Sequence, residues 1–309
     1  MIPEGDLAHE RTRGQADAPP SRAQTSLGAW VRLARPRQWV KNGLVFAALL
    51  FSGRLRDLGS VELAVLTFIA FCLASSAAYS VNDALDARED RLHPKKRLRP
   101  VAAGTISQAQ AFGFAAALAV GALVVGFAVN TWLGTVVLLY LGLNVLYSVR
   151  LKHAVLLDIM TIASGFVLRA AGGAIAIGVE MSLWFLVTVP LLSLFLAVGK
   201  RRHELVVIEG AVNHRRVLAE YSTKLLDQML AALSASVIMA YLLYAKEAAR
   251  PQLLMLTSPL VLYGTFRYLY LVYQRDGGGS PEELLISDVP LLATVALWAL
   301  VTAAIIYLT

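Results

Sequence analysis

The sequence predicts an all-α integral membrane protein, a bundle of about nine transmembrane helices around a cavity that faces the cytoplasm. Three observations predict it. Of the 309 residues, 57% are hydrophobic and only 16% charged, and the mean hydropathy is +0.62. A soluble domain has about 45–50% apolar and about 25% charged residues. The apolar residues also fall into runs close to the ~20 residues that cross a bilayer, and the basic residues gather on one side of those runs. Together these features exclude a soluble two-domain enzyme. The single cysteine, Cys72, excludes an intrachain disulfide.

Residues 1–26 are polar, carry Gly14, Pro19 and Pro20 with mixed charges, and read as a disordered cytoplasmic tail. They lack the apolar run of a secretory signal. Residues 27–309 read as one transmembrane domain, with apolar segments at 38–53, 61–82, 107–129, 131–149, 154–178, 182–200, 224–245, 252–273 and 288–308. The first is short and flanked by Trp39. If the tail is inside, 22 of the 28 Lys and Arg fall in inward gaps and four in outward gaps. That bias fixes the orientation by the positive-inside rule. Arg169 and Arg267 lie within segments, where charge is costly unless paired or hydrated. Each reads equally as half of a buried pair or as part of a site.

The gap after the second segment carries the chemistry. Asn82, Asp86 and Asp90 are spaced i, i+4, i+8, which stacks their oxygens along one helix face, with Asp83 one step round and Tyr79 a turn earlier. Like charges at this spacing disfavour a helix, and acids at the edge of an apolar segment are expensive. Hard oxygen ligands at a helix end suit Mg²⁺, which keeps some waters and bridges to substrate phosphates. Six cations follow between Arg88 and Arg99. A basic inner loop is ordinary and also attracts anionic lipid, but beside a metal-binding face it points to a polyphosphate. No nucleic-acid partner is expected.

Asn82-Asp83-x-x-Asp86-x-x-x-Asp90, continued by Arg91-x-His93-Pro94-x-Lys96-Arg97-x-Arg99-Pro100, resembles the first motif of the UbiA superfamily of membrane prenyltransferases. Arg35-Pro36-Arg37-Gln38-Trp39-Val40-Lys41-Asn42, Leu151-Lys152-His153, Leu168-Arg169-Ala170 and Gly199-Lys200-Arg201-x-x-Glu204 resemble the branch that attaches phosphoribose to decaprenyl phosphate. Members that prenylate aromatic rings resemble one another in a second aspartate-rich motif after the sixth segment. Here that stretch starts Lys200-Arg201-Arg202-His203-Glu204 and has no Asp before Asp227.

The resemblance therefore implies transfer of phosphoribose from 5-phosphoribosyl 1-diphosphate to a polyprenyl phosphate, releasing pyrophosphate, for cell-wall arabinan precursors at the plasma membrane. It implies catalysis at the cytoplasmic side, with Asn82, Asp83, Asp86 and Asp90 as the Mg²⁺ ligands and Asn82, Asp86 and Asp90 as the catalytic set. Lys41, Arg97, Lys152, Lys200 and Arg201 are expected on the phosphates, and Tyr79 and Tyr147 at the ribose. Glu204 is expected to pair with a neighbouring Arg, and Asp158 to be structural. The competing readings are an aromatic prenyltransferase of quinone biosynthesis and, more remotely, a transporter, whose acids would lie at mid-segment. Homo-oligomerisation is compatible with the sequence, which does not set its order.

Overall fold

The computed structural model describes residues 27–94, 96–207, 216–248, 251–275, 279 and 281–308; the predicted tail at 1–26 lies outside them. Helix α1 (Leu27–Ala34) buries Ala29 and Leu33 against Ala84, Ala87, Val101 and Ile106. It thus packs beneath the acidic motif rather than crossing anything. Arg35 then takes a left-handed turn (φ 53°), and the chain enters a 3₁₀-helix, Pro36–Phe46, that runs into the short α2 (Ala47–Phe51). The long α3 (Leu58–Leu85) begins at Asp57, whose carboxylate accepts from the Gly59 N–H at 3.2 Å.

After α3 come α4 (Ala87–Leu92), α5 (Gln108–Val129) and α6 (Thr131–Val149). Ser107 and Gln110 form a reciprocal capping box at the start of α5. Asn130 alone joins α5 to α6. Its backbone is extended, its Oδ1 accepts from the Leu133 N–H at 2.8 Å, and its Nδ2 donates to the Ile175 carbonyl at 3.4 Å. The remaining helices are α7 (Leu157–Ala176), α8 (Leu183–Val207), α9 (Thr223–Glu247), α10 (Pro251–Met255), α11 (Ser258–Gln274), α12 (Pro281–Ser287) and α13 (Val289–Leu308).

Among the described residues, seven helices are long and apolar enough to span a membrane: α3, α5, α6, α7, α8, α9 and α13. Two of the nine expected segments take another form. Segment 38–53 is the 3₁₀-helix with α2, because Pro36 supplies no N–H and Lys41 and Asn42 interrupt the apolar run. Segment 252–273 breaks at Thr257 into α10 and the 17-residue α11, with Pro251 and Pro259 at the two helix starts.

The 3₁₀ segment is seated by polar contacts on the small residues of α3. Trp39 Nε1 donates to Ser76 Oγ at 3.0 Å and Asn42 Nδ2 to Ser75 Oγ at 3.2 Å. Small residues let helices approach closely in a membrane protein. Gly173 of α7 is an extreme case, since a Cβ there would lie 2.1 Å from the Val45 carbonyl oxygen. The two largest apolar clusters lie around Phe71, Leu133, Val137 and Tyr140 and around Phe195, Val198, Leu226 and Leu230. A cavity of about 380 Å³, lined by Phe51, Trp184, Tyr244, Leu254 and Ile305 among others, lies at the end of the bundle away from the acids.

Candidate functional site

Four pieces of chain meet where α3 ends: the residues around Arg35, the α3–α4 bend, the turn between α6 and α7, and the last turns of α8. Asp86 is the bend, ending α3 and starting α4 without a side-chain capping bond. Helical hydrogen bonds continue through it, Asp86 N–H to Asn82 O at 2.9 Å and Asp90 N–H to Asp86 O at 2.8 Å.

The acids divide differently from the expected single face. Asp83 and Asp90, seven residues and nearly two turns apart, share one guanidinium: Arg99 Nη1 lies 3.2 Å from Asp83 Oδ1 and 2.6 Å from Asp90 Oδ2. Asp83 also pairs with Arg35. Both acids are buried, at 1% and 3% exposure. Asp86 is the accessible one, with its side chain 20% exposed, and it pairs with Lys152 from the 3₁₀ turn Leu151–His153. The repulsion that the spacing implies is thus relieved by setting a cation against each carboxylate. Asp90 consequently joins the structural pair rather than the accessible face. Burial pushes the Arg35 guanidinium below its ordinary value, with Asp83 opposing.

Of the expected phosphate-binding cations, Lys152 lies against Asp86. Arg97 is exposed, and Arg99, two residues on, makes the contacts with the acids instead. Lys41 and Tyr79 are half-buried electrostatic neighbours of the buried Tyr140, and the Arg35 guanidinium lies 5.1 Å from the centroid of the Tyr79 ring. Beneath them Arg169 is 5% exposed and donates to neutral acceptors: Asn42 Oδ1 at 2.7 Å, Gly165 O at 2.8 Å and Tyr140 Oη at 2.7 Å. Arg267, by contrast, has a carboxylate, Asp288, at 2.8 Å.

Arg201 departs from expectation. It is 1% exposed, lies 3.0 Å from Asp158 Oδ2, and also pairs with Glu204. Two acids neutralise it, so it braces the end of α8 in place of offering a free charge to phosphate. Lys200 beside it is half-buried, and Tyr147 is an electrostatic neighbour of Arg201. Tyr221 completes this knot, donating to Asp158 Oδ1 at 2.7 Å and accepting from the Leu156 N–H at 2.8 Å. Burial and the Asp158 bond push the Tyr221 phenol up to about 12. It is therefore a protonated donor at any pH near neutrality.

Arg202 is likewise occupied, 2.6 Å from Asp227 Oδ1 and over the Tyr273 ring at 4.1 Å. Asp227 is 38% exposed, so Asp227→Asn is expected to lower stability by no more than about 1 kcal/mol. Thermal midpoints of the purified variant check this.

Groups of three His, Cys, Asp or Glu able to hold a metal are absent among the described residues. A Mg²⁺ that takes one or two carboxylates and fills its other positions with phosphate and water does not need such a group. The donors fit that case. Asp86 is accessible, Asn82 is half-buried one turn before it, and Asp83 Oδ2 is buried without a hydrogen-bond partner. Sequence reasoning missed Tyr221, which bonds Asp158 beside Arg201, and did not single out Arg35 or Arg99 although both lie inside the motifs.

The description "UbiA prenyltransferase family" matches residues 43–287. The decaprenyl-phosphate phosphoribosyltransferase of Mycolicibacterium smegmatis is 34% identical over 98% of this chain and 99% of its own. That of Mycobacterium tuberculosis is 35% identical over 90% of this chain and 94% of its own. The structure of a UbiA homolog from Archaeoglobus fulgidus bound to GPP and Mg²⁺ superposes with a TM-score of 0.74 at 21% identity, covering 90% of this chain and 99% of that one. That likeness speaks to the fold.

Proposed function

The chain belongs to the UbiA prenyltransferase family, and from that premise we propose that it transfers 5-phosphoribose from 5-phosphoribosyl 1-diphosphate to a polyprenyl phosphate. The product would serve cell-wall arabinan synthesis. The names of relatives that align over nearly its full length support this reading. The observation that carries it is Asp86, the accessible member of the three motif aspartates, set against Lys152, while the end of α8 presents arginines already bound to acids. A prenyl diphosphate held by two acidic motifs has no second motif here among the described residues.

In the reaction a phosphate oxygen of the lipid forms a bond to ribose C1 as the bond from C1 to the diphosphate oxygen breaks. The acceptor is already an anion at neutral pH, so no strong general base is needed. Asp86 and Asn82 would hold Mg²⁺, which when bound offsets the charge that develops on the departing pyrophosphate. Lys152, whose ammonium lies against Asp86, would bind a diphosphate oxygen of the donor. Lys41 steadies the second anion, and Tyr79 and Tyr147 border the sugar. Aligning two mutually repelling anions is the main task, and fixed cations accomplish it. The charge bias supports placing this end at the cytoplasmic face of the plasma membrane.

Purified protein offered each donor with Mg²⁺ and a lipid phosphate tests the reading. The expected result is pyrophosphate release from phosphoribosyl diphosphate, dependent on the lipid, abolished by chelation and restored by Mg²⁺. Consumption of a prenyl diphosphate with phosphoribosyl diphosphate untouched would overturn it.

A further inference from the structure

We propose that Tyr221 is a positioning residue for Lys152, clamping through the Leu156 amide the strained turn four residues beyond this lysine and so holding its ammonium at Asp86; the inference rests on the transferase reading above. The turn is unusual. The Leu157 N–H bonds the Val155 carbonyl at 2.8 Å across Leu156, which sits at φ 66° and ψ −39°. This is the γ-turn of the rarer, strained hand, in a region that L-residues with a Cβ avoid.

Nothing about the leucine itself accounts for the conformation. The residue is 44% exposed, so burial does not drive it there. Strain of this kind persists only where the surroundings over-determine it, and it collects at functional sites. What over-determines it is the phenol. Tyr221 is 5% exposed within the cluster around Val217, Leu218 and Leu226, so its ring is fixed. Its hydroxyl accepts from the Leu156 N–H at 2.8 Å and donates to Asp158 Oδ1 at 2.7 Å. Asp158 is wholly buried and lies 3.0 Å from Arg201. A fixed point at the end of α8 is thereby linked to the backbone four residues after Lys152, whose ammonium meets Asp86.

The clamp and the strain predict a specific pattern in four proteins: wild type, Tyr221→Phe, Leu156→Gly and the double variant. Tyr221→Phe removes one oxygen and leaves the ring. The Leu156 and Asp158 hydrogen bonds go together, and the variant is expected to raise KM for phosphoribosyl diphosphate about tenfold, the scale of the bond lost at the Leu156 amide, with kcat and the lipid KM within about twofold. Hydrogen exchange of the 150–157 stretch accelerates with it. Glycine enters the turn without a Cβ penalty, so Leu156→Gly alone stays near wild type, and in the double variant it returns the donor KM to within about threefold.

A merely structural tyrosine gives another result: kcat and both KM values fall or rise together and glycine restores nothing. That outcome, or unchanged kinetics in Tyr221→Phe, overturns the proposal. If Tyr221→Phe does not accumulate, slow exchange of the Leu156 amide in wild type supports the clamp and fast exchange overturns it. A wild type that ignores phosphoribosyl diphosphate fails the proposed function instead, and exchange still judges the clamp separately.

Discussion

Asp86→Ala is expected to lower the rate of transfer by about two to three orders of magnitude, the size of effect seen when one preorganised charged group is removed from a site of developing charge. The protein should still be purified in its folded form. Asp86 is the accessible acid of the motif, and its carboxylate caps neither α3 nor α4. Its ionic partner among the described residues, Lys152, is only partly buried, with its side chain 15% exposed, and can rehydrate. Asp83→Ala is the wrong test of the same idea. It would leave Arg35 without its carboxylate at a site that is 1% exposed, Arg99 keeping only Asp90, and removing one partner of a buried pair costs several kcal/mol. Loss of activity there would report loss of fold. The measurement is pyrophosphate release alongside elution as a single species in detergent. Full activity in Asp86→Ala would remove this residue from the metal assignment.

Gly173→Ala is expected to cost about 3 kcal/mol or more, at or beyond the upper end for overpacking. The added methyl would lie 2.1 Å from the Val45 carbonyl oxygen and 2.9 Å from its carbon. Backbone cannot rotate away as a side-chain tip can, so either α7 or the Pro36–Phe46 segment must move. That segment carries Lys41 and is bonded by Asn42 to Arg169, so activity should fall together with the thermal midpoint. Gly142→Ala in α6 is the control, because nothing lies within 4 Å of a Cβ there. A midpoint unchanged in Gly173→Ala and lowered in Gly142→Ala would contradict the packing described.

The membrane class and most spans were legible because apolar length is a one-dimensional property. The seven long helices fall on predicted segments. The 3₁₀ segment was not legible, since its form depends on Gly173 and Ser76 accepting it from other helices. The acids were readable as a group, but periodicity alone gave the wrong partition. Asp90 follows Asp83 because Arg99, nine residues beyond Asp90, reaches both. Sequence patterning recommended Arg201 as a phosphate ligand, and only the fold reveals that Asp158 and Tyr221 occupy its neighbourhood. Arg169 was expected either to find an acid or to serve the site. Its acceptors prove to be an amide, a carbonyl and a phenol, leaving net positive charge beneath Lys41. A floor of that sign favours anions above it.

The one-residue joint at Asn130 bears on how sidedness is to be mapped. An epitope inserted there would part the amide that caps α6 from the Leu133 N–H it receives, and would detach the anchor on Ile175. Silence from such a tag would record a sprung hairpin, whichever side of the bilayer it faced. Arg56, exposed in the turn between α2 and α3, offers the same leaflet without that cost, so topology probes belong at Arg56 and the α5–α6 corner should be left whole.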